Sequence, residues 1–420
     1  MLRRLSVSAT DPFARRLIEG RGDQRGDDPI FALNAEAVRR REAGEDIVNS
    51  TLGTLLDDEG RLATIPAVAE AYRRVPIERG AGYAPIAGPR VFLEAVIEDL
   101  FGRSELARSA AAVATPGGTG ALALAVNCFL EAGQSLLTSS YFWSPYQTIA
   151  EQSGRGLETF AMFTRGGRFD VDALGSALER AGRSQGRSLL FLNTPCHNPT
   201  GYSLDEHDWR ALSGVLGAVA ERQRLTVLVD LAYARYCAGD PRAWARHLEP
   251  LIGHATLLAA WSASKAFTQY GARVGACVAL EAEADERERV RAAMGAYCRG
   301  SWSNCNHLGM LAVSECLRDS ELALRVERER AELRGLLADR ALSFTRLAAL
   351  AGLVHPRYEG GFFVTVFAAD SGRAAEHMRA RGVFVVPVPG AVRVAICSTP
   401  ARSLPRLVEA LRDALRATGG

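Results

Sequence analysis

The stretch LLAAWSASKAFTQYGAR (257–273) decides how the rest of the chain is read. It begins as a short apolar run, the pattern of a strand buried on both faces. Two hydroxyls (Ser262, Ser264), an amine (Lys265), Tyr270 and Arg273 follow within a dozen residues. An arginine fork and hydroxyls hold a phosphate, and an amine condenses with an aldehyde. The same S-x-S-K also serves as helix-capping serines, so the segment needs support from elsewhere. Some comes from composition: among 50 lysines and arginines, Lys265 is the only lysine. Arginine replaces lysine wherever charge alone matters, but it cannot lose its proton and act as a neutral amine. A lone lysine is therefore either a chance survivor or a position that needs that amine.

This strand candidate spans Ala255–Trp261, and further ones lie at Gln134–Ser139, Leu189–Asn193, Thr226–Asp230 and Gly275–Glu281. Amphipathic helices such as Asp205–Gln223 lie between them, and a shorter one is expected over Ala32–Glu42. This alternation predicts an α/β fold with a mostly parallel central sheet covered by helices. The long helical pattern His307–Ala341 bridges to a smaller α+β unit holding GGFFVTVFA, VFVVPVPG, AVRVAIC and a closing helix, Leu404–Ala417. RAGRSQGRS (180–188) reads as a surface loop.

Polar signals recur where these strands end. In ATPGGTGAL (114–122), Gly118 and its neighbouring glycines let backbone N–H groups approach an anion. Thr119 adds a hydroxyl, although a tight strand-to-helix turn has the same composition. LVDLAY (228–233) puts Asp230 at the end of an apolar strand, where a carboxylate is costly without a cation or a capping role. Tyr233 follows three residues on. NTPCHNPTG (193–201) offers Asn198 in a proline-stiffened turn, and SSYFWSPY (139–146) offers Trp143 either to stack on a ring or to fill core. Open α/β sheets bind ligands at the carboxyl ends of their strands.

The rest of the composition mostly excludes. A net charge of +2 without a basic arm or recognition helix argues against nucleic acid, and so against a regulator carrying a DNA-reading module. No run reaches about 18 apolar residues, so no membrane span is expected. Eight cysteines without C-x-x-C pairs predict reduced thiols in the cytoplasm. The histidines show no metal-ligand spacing, so no metal is expected. The G-x-G-x-x-G fingerprint of a nicotinamide dehydrogenase is absent.

Taken together, HNPTG (197–201), D-x-A-Y (230–233) and S-x-S-K followed by Y-x-x-R (262–273) resemble the fold-type-I pyridoxal-5′-phosphate (PLP) enzymes, in particular the class I/II aminotransferases of aspartate aminotransferase type. The resemblance runs from VNSTLG (48–53) to AVRVAIC (391–397). It implies a large PLP-binding domain over 55–305 and a small domain made of 1–54 and 306–420. It also implies that Lys265 forms the Schiff base with the cofactor and that Asp230 pairs with the ring nitrogen. Asn198 and Tyr233 would then bond the ring oxygen, while Gly118, Thr119, Ser262, Ser264 and Arg273 hold the phosphate. Trp143 would lie against the ring. Tyr83, in GYAPIAG (82–88), matches a tyrosine that reaches the phosphate of a neighbouring subunit, which implies a homodimer with shared sites.

The resemblance also implies substrate contacts. Arg393, within an apolar strand, and Gly53 would meet the α-carboxylate end, and Arg299, in CRGSWSN (298–304), a distal carboxylate unless it is simply a surface arginine. The implied reaction moves an amino group between an L-amino acid, with aspartate, glutamate and aromatic residues as candidates, and a 2-oxo acid. Asn193, Pro195 and Ser144-Pro145-Tyr146 depart from the family pattern, which leaves amino-acid preference open. The same scaffold also serves decarboxylation, elimination, oxidation and carbon–carbon bond formation.

Overall fold

Leucine, valine and alanine runs build a seven-stranded sheet. The computed structural model describes residues 28–419, so the first 27 residues of the expected small domain lie outside it. After β1 (Val48–Asn49) come β2 (Ala110–Pro116), β3 (Ser135–Ser139), β4 (Gly156–Phe160), β5 (Arg187–Asn193), β6 (Arg224–Asp230), β7 (Thr256–Ser262) and β8 (Val274–Leu280). Their order in the main sheet is β2-β8-β7-β6-β5-β3-β4. β8 runs antiparallel to both β2 and β7, and the remaining pairs are parallel. The carboxyl ends of β2, β3, β5, β6 and β7 therefore share one edge, and the amino end of β8, just after Arg273, joins them.

Alternate residues of each strand point to opposite faces, and both faces are packed. Val227 and Val229 of β6 join Leu190, Leu257 and Val278 in one core. Leu228 joins Phe191, Leu258 and Cys277 in another, beneath the helix Gly117–Phe129. That double coverage is why these strands read as near-continuous apolar runs.

A smaller three-stranded antiparallel sheet, in the order β11-β12-β9, comprises β9 (Phe363–Phe367), β11 (Val386–Val388) and β12 (Ala391–Ala395). β10 (Val383–Phe384) pairs instead with β1, joining the amino-terminal part of the chain to the carboxyl-terminal part. A separate apolar core packs this sheet against the helix Leu404–Ala417.

The structure corrects several expectations. The pattern over His307–Ala341 is two helices, His307–Arg318 and Ser320–Leu350. They part at Asp319, whose carboxylate caps the second by accepting from the Glu321 and Leu322 N–H groups. RAGRSQGRS is not a loop: the helix Val171–Gln185 runs through it, Gly186 turns the chain in a left-handed conformation (φ 71°), and β5 starts at Arg187. Strands β2 and β4 were not anticipated. Among the described residues, no helix is long and apolar enough to cross a membrane.

Candidate active site

At the shared strand edge lies a cavity of about 150 Å³. Lys265 enters it from the turn after β7, Asp230 from the end of β6 and Tyr233 three residues further on. Asn198 comes from the turn after β5, Trp143 from the segment after β3, and Gly118 and Thr119 from the first turn of the helix after β2. Ser262, Ser264 and Arg273 complete the wall. A larger cavity, about 440 Å³, lies between residues 34–60 and 398–403, but it holds neither a lysine nor a buried carboxylate.

The charged centre is the pair formed by Asp230 and Lys265. Asp230 is buried; its Oδ2 accepts from the Tyr146 hydroxyl at 2.6 Å and its Oδ1 from the Ala232 N–H at 3.1 Å. Burial raises the pKa of Asp230, while these two donors and the Lys265 ammonium oppose the rise. Lys265 keeps some surface open to the cavity, with Nζ 5.3 Å from the centre of the Tyr233 ring. Burial pushes its pKa down; Asp230 pulls it up and Arg273 adds to the lowering. An amine shifted this way loses its proton more readily near neutral pH.

Asn193 sets the geometry behind Asp230. Its Nδ2 donates to the Asp230 carbonyl (3.0 Å) and its Oδ1 accepts from the Asn198 N–H (2.6 Å), so one side chain ties two strand ends together. Asn198 Nδ2 lies 3.5 Å from the Tyr233 hydroxyl, and its buried Oδ1 has no partner among the described residues. Such an orphaned buried atom is rare unless a ligand supplies the missing contact.

At the other end, Ser264 Oγ accepts from Arg273 at 3.2 Å, and Ser262 Oγ from the Ser264 N–H at 3.2 Å. The close approach here depends on Gly117 and Gly275 more than on Gly118. A Cβ on Gly117 (φ 71°) would fall 2.4 Å from an Arg273 nitrogen, and one on Gly275 would fall 2.5 Å from the Gly117 carbonyl carbon. At Gly118 the nearest atom would be an ordinary 3.5 Å away.

The remaining expected residues are arranged differently. Arg393, on β12, is buried; its guanidinium stacks 4.4 Å from the Phe363 ring and donates to the Thr51 carbonyl at 2.6 Å. Its Nε has no partner among the described residues, and burial lowers its pKa. Gly53 admits that same ring, since a Cβ there would sit 2.6 Å from Phe363 Cζ. Arg393, Gly53, Arg299 and Tyr83 do not line the cavity. Arg299 is exposed and donates to Ser303 Oγ at 2.8 Å, and Tyr83 is 93% exposed.

Sequence reasoning noted Tyr146 only as a departure from the family pattern. It is fully buried, edge-on to Phe191 (5.2 Å) and Trp143 (5.9 Å), and its hydroxyl is aimed at Asp230.

These features fit PLP in a specific way. A buried carboxylate suits the ring nitrogen, and an asparagine with an unmet acceptor beside a tyrosine suits a polar ring substituent. The hydroxyl–arginine cradle suits a phosphate, and the only lysine suits an aldehyde. Fold and site together define a PLP-dependent transferase of fold type I. The chain belongs to the family of class I and II aminotransferases, whose model matches residues 45–411. It is 30% identical over 338 residues to an aspartate aminotransferase of Pseudomonas aeruginosa, covering 77% of this chain and 81% of that one. It is 28% identical over 392 residues to an aromatic-amino-acid aminotransferase of the same organism, covering 91% and 96%. A solved aminotransferase of Anaerococcus prevotii superposes with a TM-score of 0.89 at 31% identity, covering 97% of this chain and all of that one. The protein is thus an amino-acid aminotransferase that uses PLP and acts on amino acids and 2-oxo acids.

Proposed function

We propose that the enzyme exchanges the amino group of a dicarboxylic or aromatic L-amino acid with a 2-oxo acid, with Lys265 as the proton-moving amine. The observation that carries this reading is the placement of the only lysine in one cavity with a buried aspartate and a phosphate cradle. PLP, when bound, supplies the carbonyl for amino-group exchange and a ring that takes up charge from the substrate α-carbon. Asp230 holds the ring-nitrogen proton, and Asn198 and Tyr233 bond the ring oxygen. Gly118, Thr119, Ser262, Ser264 and Arg273 would bind the phosphate, and Trp143 would pack on the ring. Lys265 Nζ takes the proton from the substrate α-carbon, a task helped by its lowered pKa. Arg393, buried with an unmet Nε, pairs with the α-carboxylate beside Gly53.

The two substrate classes rest on the named relatives and on Arg299, whose exposed guanidinium suits a distal carboxylate. A homodimer with shared sites is supported by Tyr83, a large aromatic almost wholly exposed in one chain. Division into a large unit (55–305) and a small one (1–54 and 306–420) is supported by the β1–β10 pairing and the separate second core; Leu55 and Ala63 of the large unit pack into that core from across the boundary. Cytoplasmic placement is supported by eight free cysteines.

Absorbance of the purified holoenzyme during titration with single amino acids tests the reading. Aspartate or an aromatic amino acid is expected to bleach the cofactor band and release one equivalent of 2-oxo acid. Carbon dioxide, or ammonia without 2-oxo acid, would reject transamination.

A further inference from the structure

The helix Ser320–Leu350 belongs to both cores: Leu322 and Val326 pack in the first, and Leu337, Ala341, Phe344 and Ala348 in the second. Between and beside these positions it buries two arginines, Arg330 at 4% exposure and Arg340 at 0%. Burying a guanidinium is expensive, and neither arginine makes a direct ion pair with a buried carboxylate. Their acidic partners, Glu327 and Asp58, keep 47% and 39% of their side-chain surface exposed. A surface arginine would meet those acids at lower cost.

Besides these acids, both arginines reach backbone. Arg330 Nε donates to the Ala266 carbonyl at 2.7 Å, one residue beyond Lys265, and its guanidinium lies 5.1 Å from the Phe267 ring. The Lys265 carbonyl takes a further donor, the Tyr236 hydroxyl, at 3.2 Å. Arg340 Nη1 donates to the Cys397 carbonyl at 3.0 Å and the Ile396 carbonyl at 3.4 Å, in the turn that ends the strand carrying Arg393. Ten residues of α-helix separate the two arginines by about 15 Å of fixed rise. One helix thus grips the amine-bearing segment near one point and the Arg393-bearing strand near another.

We propose that Arg330 and Arg340 are positioning residues for the transfer: Arg330 holds the Lys265 segment, and Arg340 holds the strand of Arg393. The helix then sets the spacing between the amine and the guanidinium that orients the substrate. This inference rests on the roles given above to Lys265 and Arg393.

The two anchors have separable signatures in the holoenzyme. Arg330→Met is expected to shift the pH midpoint of the cofactor absorbance band and to lower kcat by about tenfold or more, the equivalent of one charge-assisted hydrogen bond. KM for the amino acid stays within about twofold, because Arg393 is undisturbed. Arg340→Met is expected to raise KM by about tenfold and leave the absorbance midpoint in place. Arg330→Lys and Arg340→Lys, which keep a cationic donor group, recover part of each loss. Tyr236→Phe removes only the second grip on Lys265 and should move the midpoint in the same direction as Arg330→Met, so the idea stays testable if the methionine variants misfold. Identical losses in kcat and KM for both arginine variants, or an unmoved midpoint in Arg330→Met and Tyr236→Phe, would overturn it. Borohydride reduction of the wild type separates the two readings. An unlabelled Lys265 peptide removes the site assignment itself, whereas a labelled one with unresponsive variants removes only the positioning role.

Discussion

The two ends of the site are completed to different degrees within one chain. At the proposed cofactor end several groups are held by neighbours, although Asn198 Oδ1 is left unmet: Asn193 holds Asp230 and Asn198, Tyr146 holds the Asp230 carboxylate, and Arg273 holds Ser264. These groups sit at the edge of a sheet packed on both faces, where each side chain has little freedom left to lose. At the proposed substrate end, Arg393 is buried with an unmet Nε and Arg299 stands in the open; Tyr83, proposed for the phosphate of a neighbouring subunit, is exposed as well. On the proposed reading, most of the cofactor contacts are gathered within one chain, and discrimination among side chains is left to groups whose partners come from a substrate.

The sharpest way to break this contrast is Lys265→Arg. It keeps the charge but loses the amine chemistry, and turnover should fall by roughly 10⁴-fold or more, measured as 2-oxo acid formed in a single turnover. Near-normal turnover would dissolve the cofactor end as described. Next in size is Arg393→Met. Truncating one partner of a buried charge pair costs about 2–5 kcal/mol, so kcat/KM should drop by about 30-fold to several-thousand-fold while the absorbance of the resting enzyme stays the same. Arg299→Leu serves as its companion, with an expected loss of about tenfold in preference for aspartate over phenylalanine, set by specificity ratios rather than by rate. An unchanged ratio would return Arg299 to the surface.

Tyr146→Phe probes the support of Asp230 without removing it. A hydrogen bond to a charged group is worth about 1.5–3 kcal/mol, so cofactor affinity or kcat should fall by at least about tenfold. No loss in either would show that the 2.6 Å contact carries nothing.

The smallest effect concerns the bridge between the two regions. Arg357, near the second core, reaches Asp205 and Asp208 at the start of the helix Glu206–Ala220, where Arg168 joins them. Burial pushes Asp205 up, but the Asp208 N–H and the two guanidiniums outweigh it and hold its pKa well below the usual value. A lowered carboxylate pKa stabilises the fold above its unfolded value of about 3.9, and that contribution is lost as pH falls through the folded value. Asp205 keeps about a third of its side chain in solvent, which screens these pairs, so Asp205→Asn should cost under about 1 kcal/mol at neutral pH and flatten the acid limb of a denaturation series. An unaltered acid limb would mean that the bridge does not stabilise the fold through this group.

Much of the cofactor end was legible because its requirements are chemical and local. Only an amine condenses with an aldehyde, so Lys265 stood out in a chain that uses arginine everywhere else. Central strands buried on both faces announce themselves as apolar runs, and Leu404–Ala417 was legible at both ends. Strand β2 was missed because AAAVATP is alanine-rich, with little β preference, and β4 because a short edge strand keeps the exposed polar residues Glu158 and Thr159. The break at Asp319 was hidden because both flanking segments carry helical periodicity.

Residue chemistry and pattern, with the family resemblance they carry, determined the α/β class, the cofactor and most of the groups gathered in the cavity. Tertiary structure alone decided that Tyr146 meets Asp230, that Gly117 and Gly275 must both lack a Cβ, and that two of many arginines are buried against carbonyls near Lys265 and Arg393. The physical reason is distance along the chain. Each of these contacts joins segments dozens to hundreds of residues apart, and no local propensity or spacing records which surfaces the packed sheet and the long helix bring together.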